Sequence, residues 1–375
     1  MKRTHLTLIC AVLGAMILAP STGAKAYVHM HCEGGNIKWN GTSKTLYYSK
    51  ESFPAGDYET AIKNAVHFFN HNPGKFNYGL SGRTGSVGHG NGRSEIYGKN
   101  GIAAPAYASM RYNCYWWFGW KRNMKEVDVV FEYDGGVNWT TSTDKDNLTM
   151  YRGGGARGLR GTALHELGHG LYLKHENDEY NMMGADYSHV HVNGDLATFY
   201  LGEDAGDGAV HLYGTDSNFQ DVGVVHWKYK GASGEYSSHE KTQIYNSAGS
   251  TVLSRVGVDY QGDGIGDEYH YRVSAGQSVK VEFTYENNGA STHRNVSCSI
   301  RLSTNNICST GDRKLTGFTM SLGRADVYTY KKSVTLPRTL TSGSDYWLCA
   351  IIDDNNKISE HWEGNNATWL PIRVN

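Results

Sequence analysis

The chain has 375 residues and a formal net charge of −1. Single cores rarely grow beyond about 250–300 residues, so this length predicts two folded domains. The near-neutral charge gives no electrostatic reason to expect nucleic acid or an anionic membrane as a partner.

Residues 1–26 have the pattern of a secretory signal peptide. Lys2 and Arg3 precede an apolar stretch at residues 6–19, and residues 24–26 (Ala-Lys-Ala) offer a small-x-small cleavage site. The apolar stretch is shorter than the ~20 residues that span a bilayer, so cleavage is favoured over an uncleaved anchor. We therefore predict a secreted, extracellular protein with no membrane span, whose formal charge changes from −1 to −4 on cleavage because three basic residues are removed.

The next part of the chain has one clear helical pattern and two strand patterns. Apolar residues recur at helical spacing within residues 58–69, which predicts an amphipathic helix. Residues 94–97 and 127–131 are predicted to be strands, the second because it is rich in β-branched residues. The apolar stripe of the helix consists of Ala61, Ile62, Ala65, Phe68 and Phe69.

A short histidine motif, H-E-x-x-H, carries the chemistry. His165 and His169 are four residues apart, so on a helix both imidazoles lie on one face and can reach one ion. His175 can complete a three-histidine site with one open position, which is the coordination of a catalytic zinc. Glu166 lies beside that ion and is placed to take a proton from a metal-bound water.

The third histidine imposes a turn on the chain. His175 follows His165 by ten positions, and at about 100° per residue a continuous helix would point it away from the other two. The helix must therefore stop after His169 and the chain must turn back. Gly170 is a residue that accepts the required backbone angles.

At these residues the chain resembles the metzincin metallopeptidases, and the matrixins most closely. Their pattern H-E-x-x-H-x-x-G-x-x-H is followed by a methionine turn, and Met183 stands eight residues beyond His175. The resemblance implies that His165, His169 and His175 bind Zn²⁺, that Glu166 is the general base and that Met183 forms the floor of the site. Tyr172 replaces the turn glycine of the family, and a non-glycine residue there costs about 1–2 kcal/mol.

The resemblance extends over roughly residues 35–215. Residues 37–40, 46–48 and 58–69 look like the first strand and first long helix of a matrixin, and residues 204–214 look like its closing helix. Residues 27–216 are therefore expected to form an α+β metzincin-like catalytic domain, with a twisted mixed sheet and long helices. Residues 101–110 are our candidate for the edge strand that borders the substrate, because Pro105 fits an edge strand and not a central one.

The function implied is that of a secreted zinc endopeptidase that hydrolyses peptide bonds of extracellular proteins or peptides. The open position of the metal and the neighbouring carboxylate of Glu166 supply the chemistry. Two alternatives stay open: a zinc amidase acting on cell-wall peptide links, and a catalytically inactive adhesin. Tyr172 motivates the second alternative, because it could distort the third ligand.

Five cysteines would remain after cleavage: Cys32, Cys114, Cys298, Cys308 and Cys349. In an oxidising compartment cysteines pair by default, and an odd number leaves one over. Cys32–Cys114 is the favoured bridge because these two fall in the catalytic half. The alternative is that Cys32 caps the zinc as a latency thiolate.

Residues 217–375 are predicted to form an all-β accessory domain. Short runs alternate apolar and polar positions with turn residues between them and no helical pattern, which is typical of an immunoglobulin-like sandwich. Residues 353–366 and 286–289 resemble the signature of the bacterial CARDB-type domains. That resemblance implies a module that binds a cell-surface or matrix ligand and has no chemistry of its own.

One loop of this half has calcium-like spacing. Asp259, Asp263 and Asp267 place oxygen-bearing side chains at intervals, with glycines between them, as calcium loops do. Against a Ca²⁺ site, Gln261 occupies an expected acidic position and His270 stands where a closing glutamate is expected. An acidic, glycine-rich hairpin turn is the alternative.

Overall fold

The computed structural model describes residues 27–53, 56–133, 136–184, 188–260 and 268–375. The predicted signal peptide, residues 1–26, lies outside the described residues, and so do Asp263 and Asp267 of the predicted calcium loop. Both assignments stay predictions.

A five-stranded mixed sheet forms the scaffold of the first half. The elements in chain order are β1 (His31–Cys32), β2 (Gly35–Asn36), β3 (Ser43–Ser49), α1 (Tyr58–Phe69), β4 (Asn77–Arg83), β5 (Glu95–Gly98), β6 (Ala106–Tyr112), β7 (Tyr115–Trp116), β8 (Trp120–Lys121), β9 (Met124–Phe131), β10 (Trp139–Thr140), a 3₁₀ turn (Lys145–Asn147), β11 (Arg157–Gly158), α2 (Leu159–His169), β12 (His191–Asn193), β13 (Leu196–Thr198) and α3 (Glu203–Tyr213). The strand order is β4-β3-β5-β9-β6, and β6 is antiparallel to β9 whereas the other pairs are parallel.

Several local predictions are confirmed. The helix predicted at residues 58–69 is α1, and its apolar stripe is buried against α2 and the sheet. The two predicted strands correspond to β5 and β9. The candidate edge segment, residues 101–110, overlaps the first five residues of β6, which begins directly after Pro105. Among the described residues β6 pairs with β9 alone, so it lies at the edge of the sheet.

The predicted fold class, an α+β domain with long helices, is wrong. Strand makes up 44% of the structure and helix 12%, in three α-helices of 11 or 12 residues among the described residues. Glycine limits the helices: α3 lies between Gly202 and Gly214, which have φ values of +81° and +85°. Those angles do not continue a right-handed helix, so α3 cannot extend in either direction.

The second half is the predicted β-sandwich. Its elements are β14 (Val222–Val225), β15 (Trp227–Ser233), β16 (Tyr236–Lys241), β17 (Ile244–Asn246), β18 (Arg255–Val258), β19 (Glu268–Val273), β20 (Ser278–Asn287), β21 (His293–Ser303), β22 (Arg313–Leu322), β23 (Val327–Thr335), β24 (Asp345–Ile352), a 3₁₀ turn (Glu363–Asn365) and β25 (Ala367–Val374). A six-stranded sheet, β18-β19-β25-β24-β21-β22, packs on a four-stranded sheet in which β20 pairs with β14, β17 and β23.

Disulfides cross-link each half. Cys32 and Cys114 are bonded, with Cα atoms 6.1 Å apart, as predicted. This bond excludes Cys32 as a free thiolate over the metal. A second disulfide joins Cys308 to Cys349, and Cys298 is a buried free thiol. Disulfides are compatible with an oxidising extracellular compartment.

The part of the chain that the structure describes has no helix long and apolar enough to cross a membrane.

The two halves pack on each other. The imidazole of His226 lies between the Tyr151 hydroxyl (2.9 Å) and the Thr368 hydroxyl (2.9 Å), and Thr368 donates to the Val192 carbonyl (2.8 Å). Trp369 of β25 belongs to the same hydrophobic core as the first half of the chain. Residues from the second half can therefore contribute to sites in the first.

Candidate metal centre

The three histidines of the motif come together at the end of α2. One ligand nitrogen from each of His165, His169 and His175 lies within 4.8 Å of the other two. The ring centroids are 4.7 to 5.1 Å apart. The helix ends at His169, as the geometry requires, and the chain turns back to deliver His175.

Each histidine uses Nδ1 for a hydrogen bond to an oxygen that can only accept. The pairs are His165 with the Met182 carbonyl (2.9 Å), His169 with the Leu173 carbonyl (2.7 Å) and His175 with the Glu235 carboxylate (3.2 Å). Each Nδ1 therefore carries the proton, and each Nε2 keeps its lone pair.

The donor set fits zinc. The Nε2 atoms of His169 and His175 are 3.1 Å apart. Two lone pairs at that distance repel each other unless a cation lies between them. Two nitrogens bound to one tetrahedral zinc at about 2.0–2.1 Å are about 3.3 Å apart. Imidazole is also a ligand that zinc prefers.

The protonation states agree with metal binding. Burial lowers the pKa of His165 well below its usual value and that of His169 to about 4. Burial also lowers the pKa of His175, although the Glu235 carboxylate opposes this shift. Neutral imidazoles are the form that binds metal, and all three are neutral at physiological pH.

Tyr172 provides the left-handed residue of the turn. Tyr172 has φ +65°, whereas Gly170 has φ −62°. The left-handed backbone angle therefore falls on the position where the matrixin pattern has glycine. The turn is held from outside, because the Met30 amide donates to the Tyr172 carbonyl (3.0 Å) and the Lys174 amide donates to the Val28 carbonyl (2.7 Å). These contacts keep His175 in place despite the strained residue.

Replacing Tyr172 by alanine and by glycine separates backbone strain from loss of the ring. Both changes remove the ring, which packs edge-on against Tyr112 at 5.3 Å. Only glycine accepts the positive φ without steric cost. We expect the free energy of unfolding of Tyr172→Ala to be about 1 kcal/mol lower than that of Tyr172→Gly. Denaturant unfolding of both variants measures this difference, and equal values would contradict a strained turn.

Met183 lies under the metal-binding helix. It is 1% exposed, and a Cβ added to Gly168 would overlap its sulfur atom. The helix therefore approaches Met183 closely at a glycine between the two motif histidines. This contact places Met183 where the resemblance expects the floor of the site.

Glu166 points into the same cavity as the histidines. It is 5% exposed and lines a cavity of about 1150 Å³. Burial raises the pKa of its carboxyl to about 8, while the positive charge of Arg157 and a hydrogen bond from the Ala108 backbone act in the opposite direction. The carboxyl thus lies between the candidate metal centre and the edge strand β6.

The cavity has two walls that face each other across the histidines. One wall is β6, and the other is the hairpin of β15 and β16. At the tip of the hairpin, the Glu235 carboxylate reaches His175 and the Tyr236 ring packs on the His175 ring, with centroids 4.1 Å apart. The Asn177 side chain donates to the Gly234 carbonyl (3.1 Å), which ties the tip to the loop after His175.

Sequence reasoning missed this hairpin and Arg157. The hairpin lies beyond residue 216, in the segment assigned to the accessory domain. Neither Glu235 nor Tyr236 belongs to a motif with a fixed spacing from the histidines, so the sequence carries no signal that would have identified them. Arg157 precedes the helix by two residues and could have been considered as a neighbour of Glu166.

Comparison with known proteins identifies one domain. Residues 266–369 match the family model described as CARDB, so the chain contains a CARDB domain, as its signature residues predicted. No curated protein sequence matches the chain.

Two solved structures are similar to parts of the chain. The solution structure of the CARDB domain of a Pyrococcus furiosus protein is 16% identical, covers 42% of this chain and 95% of that chain, and has a TM-score of 0.24. Wild-type OgpA from Akkermansia muciniphila is 12% identical, covers 90% of this chain and 94% of that chain, and has a TM-score of 0.22. Both TM-scores are too low to carry an argument about fold or function.

Proposed function

We propose that this protein is a secreted zinc-dependent endopeptidase with a metzincin-like metal site. The observation that carries the proposal is the convergence of three neutral imidazoles, each with its Nε2 lone pair directed inward, beside the Glu166 carboxyl in an open cavity. Three protein nitrogens leave one coordination position open, which is the arrangement of catalytic rather than structural zinc sites.

Each residue has a definite role in this proposal. His165, His169 and His175 hold the metal. When bound, zinc polarises the scissile carbonyl and lowers the pKa of a coordinated water. Burial alone would keep the Glu166 carboxyl protonated at neutral pH, and the positive charge of a bound zinc would lower its pKa and favour the carboxylate. That carboxylate would accept a proton from the attacking water and pass it to the leaving amine nitrogen.

The substrate would lie extended along β6. The Glu132 amide donates to the Pro105 carbonyl (2.9 Å), and Ala106 is paired with Phe131. In an antiparallel ladder this register turns the N–H and C=O groups of Ala106 and Ala108 away from β9 and toward the cavity. The Ala108 N–H donates there to the Glu166 carboxyl, which leaves the Ala106 groups and the Ala108 carbonyl to face a substrate. An extended peptide can pair with such a free edge by strand addition.

Replacing Ala106 by proline tests the edge strand. Proline removes the N–H that faces the cavity and leaves the ladder bonds to β9 intact. We expect Ala106→Pro to raise KM by roughly 3- to 10-fold, because one hydrogen bond contributes about 0.5–1.5 kcal/mol. Ala106→Val keeps the N–H group and is the matched control. An unchanged KM in the proline variant would remove β6 from the substrate site.

Metal analysis combined with cleavage assays tests the function. The purified chain is incubated with casein, gelatin, a peptide library and purified peptidoglycan, before and after chelation and after addition of Zn²⁺. Cleavage of the proteins or peptides that is lost on chelation and restored by Zn²⁺ is the expected result. Cleavage of peptidoglycan alone would indicate the zinc amidase instead. A chain that binds no zinc and cleaves nothing would support the inactive adhesin.

The CARDB domain has an accessory role in this proposal. It would bind a cell-surface or matrix ligand and hold the peptidase near its substrate, with no chemistry of its own. Secretion follows from the signal-peptide pattern of residues 1–26 and agrees with the two disulfides.

A further inference from the structure

A second cluster of metal-ligating side chains lies where the two halves of the chain meet. His189 follows the methionine segment, Glu203 is the first residue of α3, and Glu286 lies on β20 within the CARDB domain. One ligand atom from each lies within 4.8 Å of the other two. None of the three residues takes part in the proposed peptidase mechanism.

The ligand atoms of this cluster are buried and lack hydrogen bonds. His189, Glu203 and Glu286 are each at most 1% exposed. Among the described residues, no hydrogen bond of ordinary geometry reaches the two ring nitrogens of His189, the two carboxyl oxygens of Glu203 or Oε1 of Glu286. Weaker backbone contacts remain, from Tyr200 to His189 and from Glu203 to its own carboxyl. His189 Nε2 and Glu286 Oε1 are 3.9 Å apart. Buried polar atoms are normally hydrogen-bonded, so three neighbouring residues with such atoms, one ligand atom of each within 4.8 Å of the other two, indicate a shared ligand.

The charges indicate that this ligand is a cation. Burial, with the negative charges of Glu286 and Glu179, raises the pKa of Glu203 well above its usual value, and burial raises that of Glu286 to about 8. In the part of the chain that the structure describes, no lysine or arginine forms an ion pair with Glu203 or Glu286. A divalent cation would balance both carboxylates and allow them to ionise.

The surroundings hold the ligands in position. The His189 ring lies between the rings of Tyr180 and Tyr200, at centroid distances of 4.6 and 4.8 Å. Burial lowers the pKa of His189 to about 3, an effect that the Tyr200 backbone only partly opposes, so the imidazole is neutral. The Tyr200 hydroxyl donates to Glu286 Oε2 (2.5 Å) and orients that carboxylate. Ligands with such supporting contacts are typical of metal sites.

We propose that His189, Glu203 and Glu286 bind one divalent transition-metal ion of the Zn²⁺ or Mn²⁺ class. One imidazole nitrogen and two carboxylates suit such ions, whereas Ca²⁺ takes oxygen ligands alone. Because two ligands come from the first half and one from the CARDB domain, the ion ties the two halves together. The remaining coordination positions are left to water or to the second carboxylate oxygens.

The experiment uses the full chain with His165→Ala and His169→Ala, which removes two of the three ligands of the candidate active site. The protein is stripped with a chelator, titrated with Zn²⁺ and desalted, and bound zinc is counted by mass spectrometry. We expect one equivalent per chain and a rise in the thermal unfolding midpoint of roughly 5 °C or more at saturation. No bound zinc and an unchanged midpoint would overturn the inference and leave the proposed peptidase function unaffected.

Adding Glu286→Gln to this background identifies the ligands. We expect bound zinc to fall from one equivalent to none and the midpoint rise to disappear. Asp221→Asn is the matched control, because Asp221 is another buried carboxyl near Glu286 and accepts a hydrogen bond from Asn365 (3.2 Å). One equivalent retained in the Glu286→Gln variant would also overturn the inference. If Glu286→Gln does not fold, Glu203→Gln in the same background takes its place, and one equivalent of zinc retained there would equally overturn the inference.

Discussion

Glu166→Gln is expected to lose activity by a factor of about 10² to 10⁴, the range that a positioned general acid–base group contributes. Glutamine has the same size as glutamate and can accept the same hydrogen bond from the Ala108 backbone, but it cannot take a proton from water. The loss should appear in kcat/KM for a peptide substrate, with little change in KM, because the carboxylate acts on the reacting water and not on the ground-state substrate.

Two measurements separate this loss from damage to the metal centre. Zinc content should stay at the wild-type value in Glu166→Gln, because this residue is a neighbour of the metal and not one of its three imidazole ligands. Glu166→Asp keeps a carboxylate but has a side chain shorter by one methylene. Its activity should therefore lie between those of the wild type and Glu166→Gln. A glutamine variant with more than about a tenth of wild-type activity and full zinc content would refute the role of Glu166 as the base.

The parts of this site that follow local rules could be predicted from the sequence. The four-residue spacing of His165 and His169 predicts two rings on one face of a helix. The position of His175 requires a turn after His169, and the structure contains that turn. The left-handed angle falls on Tyr172, where the family pattern has its turn glycine, and not on Gly170, which was expected to take it. Pro105 marked β6 as an edge strand because proline cannot donate to a central ladder.

The parts that depend on contacts between distant segments could not be predicted. Glu235 and Tyr236 reach His175 only because the hairpin of β15 and β16 folds back over the cavity. The sequence of a hairpin does not show which distant segment the hairpin will contact. The cluster of His189, Glu203 and Glu286 likewise requires the two halves to be packed together. The fold class failed for a different reason: the family resemblance carried long helices over to a chain whose third helix is bounded by glycines.

The hairpin of β15 and β16 is expected to support zinc binding through Glu235. Glu235 accepts a hydrogen bond from Nδ1 of His175 (3.2 Å), which fixes the tautomer that leaves Nε2 available to the metal. Partners of this kind typically contribute a factor of about 10–100 in metal affinity. The Glu235 side chain is 71% exposed, so solvent screens its charge. We therefore expect Glu235→Ala to weaken zinc binding by about 10-fold, at the low end of that range.

Zinc affinity is best measured by competition with a chromophoric chelator, followed by activity at limiting and at saturating Zn²⁺. Activity of Glu235→Ala should fall at limiting zinc and recover at saturating zinc, because the alanine variant loses a positioning contact and keeps every ligand. Glu240→Ala is the matched control: Glu240 lies on the same hairpin but pairs with Lys228 (3.3 Å). Equal zinc affinities in the two variants would mean that the hairpin borders the cavity without supporting His175, and His175 would then depend on the strained turn at Tyr172 alone.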